Sequence, residues 1–146
     1  MSHVDTIKCE INDLDALRAA CKHLGLDFRE GQQRYKWYGR HVGDYKLPEG
    51  RTREQMGTCL HAIGVPGNAS AYEVGVVPRA GGKGYGLEWD FYMGGYGLQA
   101  AIGEGGQKLT QRYAAEAAKA AARRKGMRVT ETVKSDGTIK LTLQAR

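Results

Sequence analysis

The chain has 146 residues, of which 41% are hydrophobic and 26% are charged, and this is the composition of one globular domain, 1–146. Such a length can fold without disulfides or a structural metal, and no apolar stretch is long enough for a membrane span. The three cysteines form no paired motif, so we expect a cytoplasmic protein without a membrane partner. The net charge of +6 permits an anionic partner but does not identify one.

The first part of the chain predicts a strand followed by a helix. Apolar and polar side chains alternate over residues 7–11, which is the period of a half-buried strand. A helix then begins at Asn12 or Asp13 and is closed by Gly25. Its apolar residues fall on one face: Leu14, Leu17, Cys21 and Leu24.

Residues 26–47 mix aromatic and polar side chains, which predicts strands or an extended hairpin. Within them, Trp37, Arg40 and His41 combine flat rings with cations, a mixture that can stack on bases or nucleotides. The segment has no recognised RNA-binding signature. We take these three residues as candidate ligand-binding residues.

Three further segments predict strands of an antiparallel meander: residues 59–65, 72–77 and 87–93. Alternation in the third segment points Trp89 toward the core and Asp90 outward, so Asp90 is another candidate ligand-binding residue. The glycines at 82, 84 and 86 have the spacing of a phosphate loop. A predicted strand follows them instead of a helix, and this context favours a hairpin turn.

Cys59 and His61 are two residues apart on a predicted strand, so both side chains are expected on one side of it. Two metal ligands could come from there, but the sequence offers no further ligands at a useful spacing. We therefore expect a buried cysteine and a hydrogen-bonded histidine, with no metal, no cofactor and no catalytic residue. An enzyme that uses Cys59 or His61 is the alternative.

Residues 94–106 are rich in glycine and predict no regular element. Residues 109–125 give the clearest helix, because alanine has the highest helix propensity and Gly126 can end the helix. At 100° per residue, Leu109 and Tyr113 share the face expected to meet the sheet. Four cations share another face and predict an exposed basic stripe for an anionic partner, or else a solvated face: Lys108, Arg112, Lys119 and Arg123.

The last segments, residues 129–133 and 139–143, alternate around a Ser135-Asp136-Gly137 turn and predict a hairpin. The order of predicted elements is strand, helix, strand meander, long helix and hairpin. This order indicates an α+β fold, a two-layer sandwich with a mainly antiparallel sheet and two helices on one face.

Several segments together carry a family resemblance: Met1-Ser2-His3, Cys59-Leu60-His61-Ala62-Ile63 with Val65-Pro66-Gly67, Tyr72-Glu73-Val74-Gly75-Val76-Val77, Gly82-Lys83-Gly84-Tyr85 before Trp89-Asp90-Phe91, Leu109-Thr110-Gln111-Arg112-Tyr113-Ala114, and Ser135-Asp136-Gly137. Over nearly its whole length the chain resembles a domain family of unknown function found in cyanobacteria, algal plastids, other bacteria and phages. The block from Cys59 to Gly67 resembles the bacterial and phage branch, which implies a phage or prophage origin as one source. The resemblance implies no activity, cofactor or catalytic residue.

The leading functional hypothesis is a non-enzymatic binding or adaptor protein that forms a homo-oligomer. Its basic helix and aromatic strands are expected to hold an anionic partner: a protein, a nucleotide or a nucleic acid. One alternative is direct nucleic-acid or nucleotide binding, including sequestration of a nucleotide signal if the source is a phage. The other alternative is the enzyme described above.

Overall fold

The main sheet has five antiparallel strands: β1 Val4–Thr6, β2 Asp27–Glu30, β3 His61–Gly64, β4 Val74–Pro78 and β5 Tyr85–Asp90. Their order across the sheet is β1-β5-β4-β3-β2. The computed structural model describes residues 4–6, 10–40, 46–48, 50–79, 81 and 83–145. The predicted meander is confirmed, since β3, β4 and β5 are sequential antiparallel neighbours.

The helices are α1 Leu14–Leu24, α2 Leu98–Ile102 and α3 Gln107–Arg124. A separate two-stranded sheet follows α3, made of β6 Arg128–Val133 and β7 Ile139–Gln144. The predicted C-terminal hairpin and the predicted long helix are therefore confirmed. Within the described residues, no helix has the length and hydropathy that crossing a bilayer requires.

Helix α1 begins and ends where its sequence predicts. The Asp13 side chain accepts a hydrogen bond from the backbone N–H of Ala16 at 3.1 Å, which satisfies a donor in the first turn. Gly25 ends the helix at φ 73°, in the left-handed region that glycine adopts at little cost. The start of α1 is also tied to α3, because the Tyr113 hydroxyl accepts from the backbone N–H groups of Asn12 and Asp13.

The main core lies between the helices and one face of the five-stranded sheet. The sheet contributes Ile63, Val74, Val76, Leu87 and Trp89, and the helices contribute Leu17, Ala20, Cys21, Leu109 and Tyr113. This arrangement confirms the α+β fold with the long helices on one face of the sheet. It also confirms that Leu109 and Tyr113 point into the core.

The opposite face of the sheet is covered as well, by a covering segment whose described residues are 31–40 and 50–60. A second, smaller cluster lies there, with Tyr35, Cys59, Ala62 and Val77 buried and Trp37 packed against them. The prediction of strands or an extended hairpin over 26–47 is wrong for the described residues after β2, since 31–40 and 46–47 form no strand and only one bridge, between Arg34 and Thr58. The part of the prediction that falls on 41–45 lies outside the described residues. Tyr35 and Trp37 form the inner surface of that covering layer.

Two other boundaries differ from the sequence predictions. The third predicted strand of the meander ends at Asp90, and residues 94–106 contain α2. In the predicted strand 7–11, Ile11 forms a single bridge with Tyr85, while residues 7–9 lie outside the described residues.

Candidate functional site

Three buried carboxylates lie on the sheet face opposite the helices. Glu73, Glu88 and Asp90 are only 6%, 0% and 1% exposed, and we call them the carboxylate row. Asp90 was expected to face outward, and this expectation is wrong. Strand alternation does place it opposite Trp89, but the covering segment lies over that face and excludes solvent.

Glu88 is held by an arginine and a tyrosine. Arg51 donates to its carboxylate at 2.9 and 3.1 Å, and the Tyr35 hydroxyl donates at 2.9 Å. Burial, reinforced by the nearby charge of Glu88, raises the pKa of the Tyr35 hydroxyl. Arg51 also donates to the carbonyls of Gln55 and Thr58. These bonds fasten the covering segment to β5.

Glu73 holds the same covering segment farther along the sheet. Its carboxylate accepts from the Lys36 backbone N–H at 2.7 Å and from the Gln32 side chain at 3.0 Å. Arg29 on β2 also donates to it. Each buried oxygen of Glu73 therefore has a polar partner, as burial of a charge requires.

Asp90 joins two segments that are far apart in the sequence. One carboxylate oxygen accepts from the Tyr38 backbone N–H at 3.1 Å, and the other accepts from the Tyr92 backbone N–H at 2.9 Å. The rings of Tyr38 and Tyr92 consequently lie 4.9 Å apart, centroid to centroid. Asp90 thus positions aromatic residues at the surface without being exposed itself.

A left-handed turn follows Asp90. Residues 93–96 have φ values of 53°, 67°, 61° and 53°, all in the left-handed region. Met93 and Tyr96 adopt it without being glycine, at a cost of about 1 kcal/mol or more each. Hydrogen bonds fix the turn, because Tyr72 N–H donates to Gly95 O at 2.8 Å and the Asn68 side chain donates to Tyr96 O at 3.0 Å.

The turn and the covering segment together expose a group of large side chains. Tyr38, Tyr92, Met93 and Tyr96 are 43%, 37%, 68% and 46% exposed, and we call them the tyrosine surface. Tyr96 meets the buried Tyr72 edge to face, with ring centroids 5.3 Å apart. Exposed side chains of this size, gathered on one surface, mark an interaction site more often than scattered ones do.

An open groove of about 340 Å³ adjoins the tyrosine surface, lined by Gly94, Gly97, Gln99, Ala100 and Glu104. Lys108 lies beside it, since its ammonium donates to the Ala100 carbonyl at 3.3 Å. The exposed Lys36 lies on another side, where its ammonium donates to Ala69 O at 2.7 Å. Arg40, also exposed, follows Tyr38 by two residues. Two basic side chains, Lys36 and Lys108, therefore lie near the tyrosine surface, and Glu104 is the acid among the residues that line the groove.

The other predicted ligand residues of the aromatic segment have different positions. Trp37 is half-buried, with its ring 6.5 Å from that of Tyr35 and close against Gly57, so it packs in the second cluster. His41 lies outside the described residues. The exposed ring of this segment is that of Tyr38, which is not among the candidate ligand-binding residues predicted from the sequence.

The expected exposed basic stripe on α3 is wrong for its two central residues. Arg112 is 4% exposed and donates to Glu131 at 2.8 Å, and Lys119 pairs with both Glu131 and Glu116. The hairpin of β6 and β7 covers this side of the helix, which a helical wheel cannot show. Arg123 is exposed, as expected, but it and Lys108 are separated by the covered pair.

The Cys59 thiol and the His61 ring lie on different sides of the sheet. Cys59 belongs to the second cluster and donates to Gln32 O at 3.1 Å, while His61 packs against Phe28 and accepts from Gly31 N–H at 3.0 Å. Burial raises the pKa of the Cys59 thiol to about 12. The expectation that both side chains share one side is wrong, and no described group of three His, Cys, Asp or Glu side chains could hold a metal ion.

Comparisons with protein-family models, curated proteins and solved structures give no match to this chain. The family resemblance of the sequence therefore stays a prediction.

Proposed function

We propose that this protein is a non-enzymatic binding protein, an adaptor, that docks an acidic segment of a partner protein on its tyrosine surface. The observation that carries the proposal is the strained turn at residues 93–96, which holds the exposed side chains of Met93 and Tyr96 outward. Backbone strain of this kind persists where the surrounding structure enforces it, and it is concentrated at functional sites.

The residue types on this surface support a protein partner. Tyrosine and methionine are enriched at protein interfaces, because each supplies a large contact area with an adaptable or amphipathic side chain. The groove beside Gly94 and Gly97 gives a partner side chain a place to enter. Lys36, Arg40 and Lys108 favour a partner that carries negative charge.

The ring geometry favours a protein over a single-stranded nucleic acid. Bases stack on open aromatic faces in a basic groove. Here the Tyr38 and Tyr92 planes are inclined at 56°, and Tyr96 meets Tyr72 at 62°, so these ring pairs present edges as well as faces. Glu104 also places a negative charge in the groove that a phosphate backbone would approach.

The proposal is tested by site-specific photocrosslinking in cells of the source organism. A photoreactive phenylalanine analogue is placed at Met93, and a control probe is placed at Leu60, which is 43% exposed but lies in a different part of the fold. We expect one protein crosslinked from position 93 and not from position 60. That protein is then purified and titrated against this chain by calorimetry.

In the titration, Tyr96→Ser should weaken binding by about tenfold or more, as loss of an interface tyrosine commonly does, while Leu60→Ser should not change it. Equal crosslinking from both positions, or equal affinity of both variants, would refute the assignment. If position 93 crosslinks to nucleic acid instead, and Tyr96→Ser weakens binding of a labelled single-stranded oligonucleotide, the surface is a nucleic-acid site.

A further inference from the structure

Strand β7 has one edge that the described part of the chain does not pair. The hairpin turn is closed by Lys134 N–H donating to Thr138 O at 2.8 Å, and β6 and β7 pair in register from there. Hydrogen-bonded and non-hydrogen-bonded pairs alternate in an antiparallel ladder. Lys140, Thr142 and Gln144 therefore exchange hydrogen bonds with β6, and the backbone groups of the residues between them point away from it.

Those outward-pointing backbone groups belong to Ile139, Leu141 and Leu143. Their side chains are all apolar and share the face that packs on α3, where Leu141 is half-buried and Leu143 is 47% exposed. On the other face, Lys140 and Thr142 are exposed. Apolar edge strands with unpaired backbone groups are normally covered, charged or paired with another strand.

We propose that β7 pairs with β7 of a second copy of this chain, antiparallel and across a twofold axis at Leu141. In this register each Leu141 faces its counterpart, and each Ile139 faces Leu143 of the second copy. All three outward residues of each strand then pair, with two backbone hydrogen bonds per facing pair, hence about six in all. The two hairpins become one four-stranded sheet with an α3 helix of each copy on the same face.

Side-chain chemistry supports a second copy as the occupant. The pairing joins the apolar faces of the two hairpins into one continuous apolar face. Leu143 then lies between Val129 of its own hairpin and Ile139 of the second copy. On the opposite face each Lys140 meets a Thr142, so no like charges face each other. The pattern of β7 is thus complementary to itself, as a twofold interface requires.

The other edge of the hairpin does not allow the same pairing. Its outward residues are Val129, Glu131 and Val133, so a twofold pairing of β6 centred on Glu131, the register equivalent to that of β7, would place Glu131 opposite a second Glu131. Glu131 is already bonded to Arg112 and Lys119 of its own chain. Charge therefore selects β7 as the pairing edge. This inference does not depend on the proposed function of the tyrosine surface.

The register is tested with opposite charges at one exposed position. Thr142→Glu places a carboxylate opposite Lys140 of the second copy, twice per dimer, whereas Thr142→Lys places like charges there. By sedimentation equilibrium we expect the first variant to dimerise about three- to tenfold more tightly than the unmodified chain, and the second to dimerise more weakly by a similar factor. Raising the salt concentration should reduce both changes.

Two further variants separate the β7 edge from other surfaces. Leu143→Pro removes an N–H that does not bond to β6 and should abolish the dimer, while circular dichroism confirms that the hairpin and helices remain. Val133→Lys, on the β6 edge at 56% exposure, should leave the dimer unchanged. A monomer at every concentration, or a dimer that responds to neither Thr142 variant, would overturn the proposal.

Discussion

Arg112 of α3 donates to Glu131 of β6 at 2.8 Å, and only 4% of the arginine is exposed. This pair joins the long helix to the C-terminal hairpin, with Lys119 as a second donor to the same carboxylate at 3.0 Å. The hydrogen bond from Arg112, followed by that from Lys119, holds the pKa of Glu131 below its ordinary value of 4.5.

Replacing Glu131 with Gln should destabilise the fold by about 1–3 kcal/mol at neutral pH, because Arg112 then stays buried without its charged partner. The pH dependence follows from the lowered pKa of Glu131. The stability that the Glu131 carboxylate contributes is complete above its ordinary pKa of 4.5. It is lost as the pH falls through the lower pKa that Glu131 has in the folded protein. Urea unfolding of both proteins from neutral to acidic pH should show their difference in free energy of unfolding shrink below about pH 5. A constant difference would contradict this.

Gly75→Ala should destabilise the protein by about 1–3 kcal/mol, because a methyl group there would overlap the ring of Tyr35. Tyr35 cannot move freely, since its hydroxyl donates to Glu88. Gly86→Ala on the neighbouring strand is the control. A methyl group at that position meets Val77 and Arg79 at ordinary contact distances of 3.7 and 3.8 Å. Thermal unfolding of both variants tests the prediction, which fails if Gly75→Ala melts no earlier than Gly86→Ala.

Met93→Gly should leave the fold as stable or raise its stability by up to about 1 kcal/mol, because glycine adopts φ 53° without strain. Met93→Ala keeps the strain and should bring no gain. Denaturant unfolding measures both variants. If the two are equally stable, the left-handed turn stores no strain at Met93. Under the proposed function, both variants should also bind the partner more weakly, since each removes the exposed side chain.

Cys21 and Cys59 should resist alkylation in the folded protein. Burial raises the pKa of each thiol to about 12, so little of the reactive thiolate exists at neutral pH. Cys9 lies outside the described residues, so a Cys9→Ser variant isolates the other two. Mass spectrometry after iodoacetamide treatment should show an unmodified native chain and two modifications after denaturation in urea. Rapid modification of the native chain would show that these sites open to solvent.

Local signals predicted the elements whose ends depend on neighbouring residues. Asp13 and Gly25 bound α1 because a capping carboxylate and a left-handed glycine act within one turn of the helix. The same holds for the C-terminal hairpin, where Gly137 adopts φ 88° in the turn. Helix caps and tight turns depend only on residues that are close in the chain, and these residues can be read from the sequence.

The errors arose where another segment covers a surface that periodicity assigns to solvent. Asp90 has the position of an outward residue on its strand, and Arg112 that of an outward residue on its helix. Each is buried by a segment more than fifteen residues away in the sequence: Asp90 by the backbone of Tyr38, and Arg112 by the strand that carries Glu131. The left-handed turn gave only a general glycine signal, because Met93 has no preference for positive φ.

The carboxylate row also joins parts of the chain that lie far apart in the sequence. The described residues 31–40 and 50–60 are fastened by Glu73, which immediately precedes β4, and by Glu88 and Asp90 on β5. During synthesis on the ribosome these residues therefore emerge before their anchoring carboxylates, and the hydrogen bonds between them can form only after the chain has extended to Asp90.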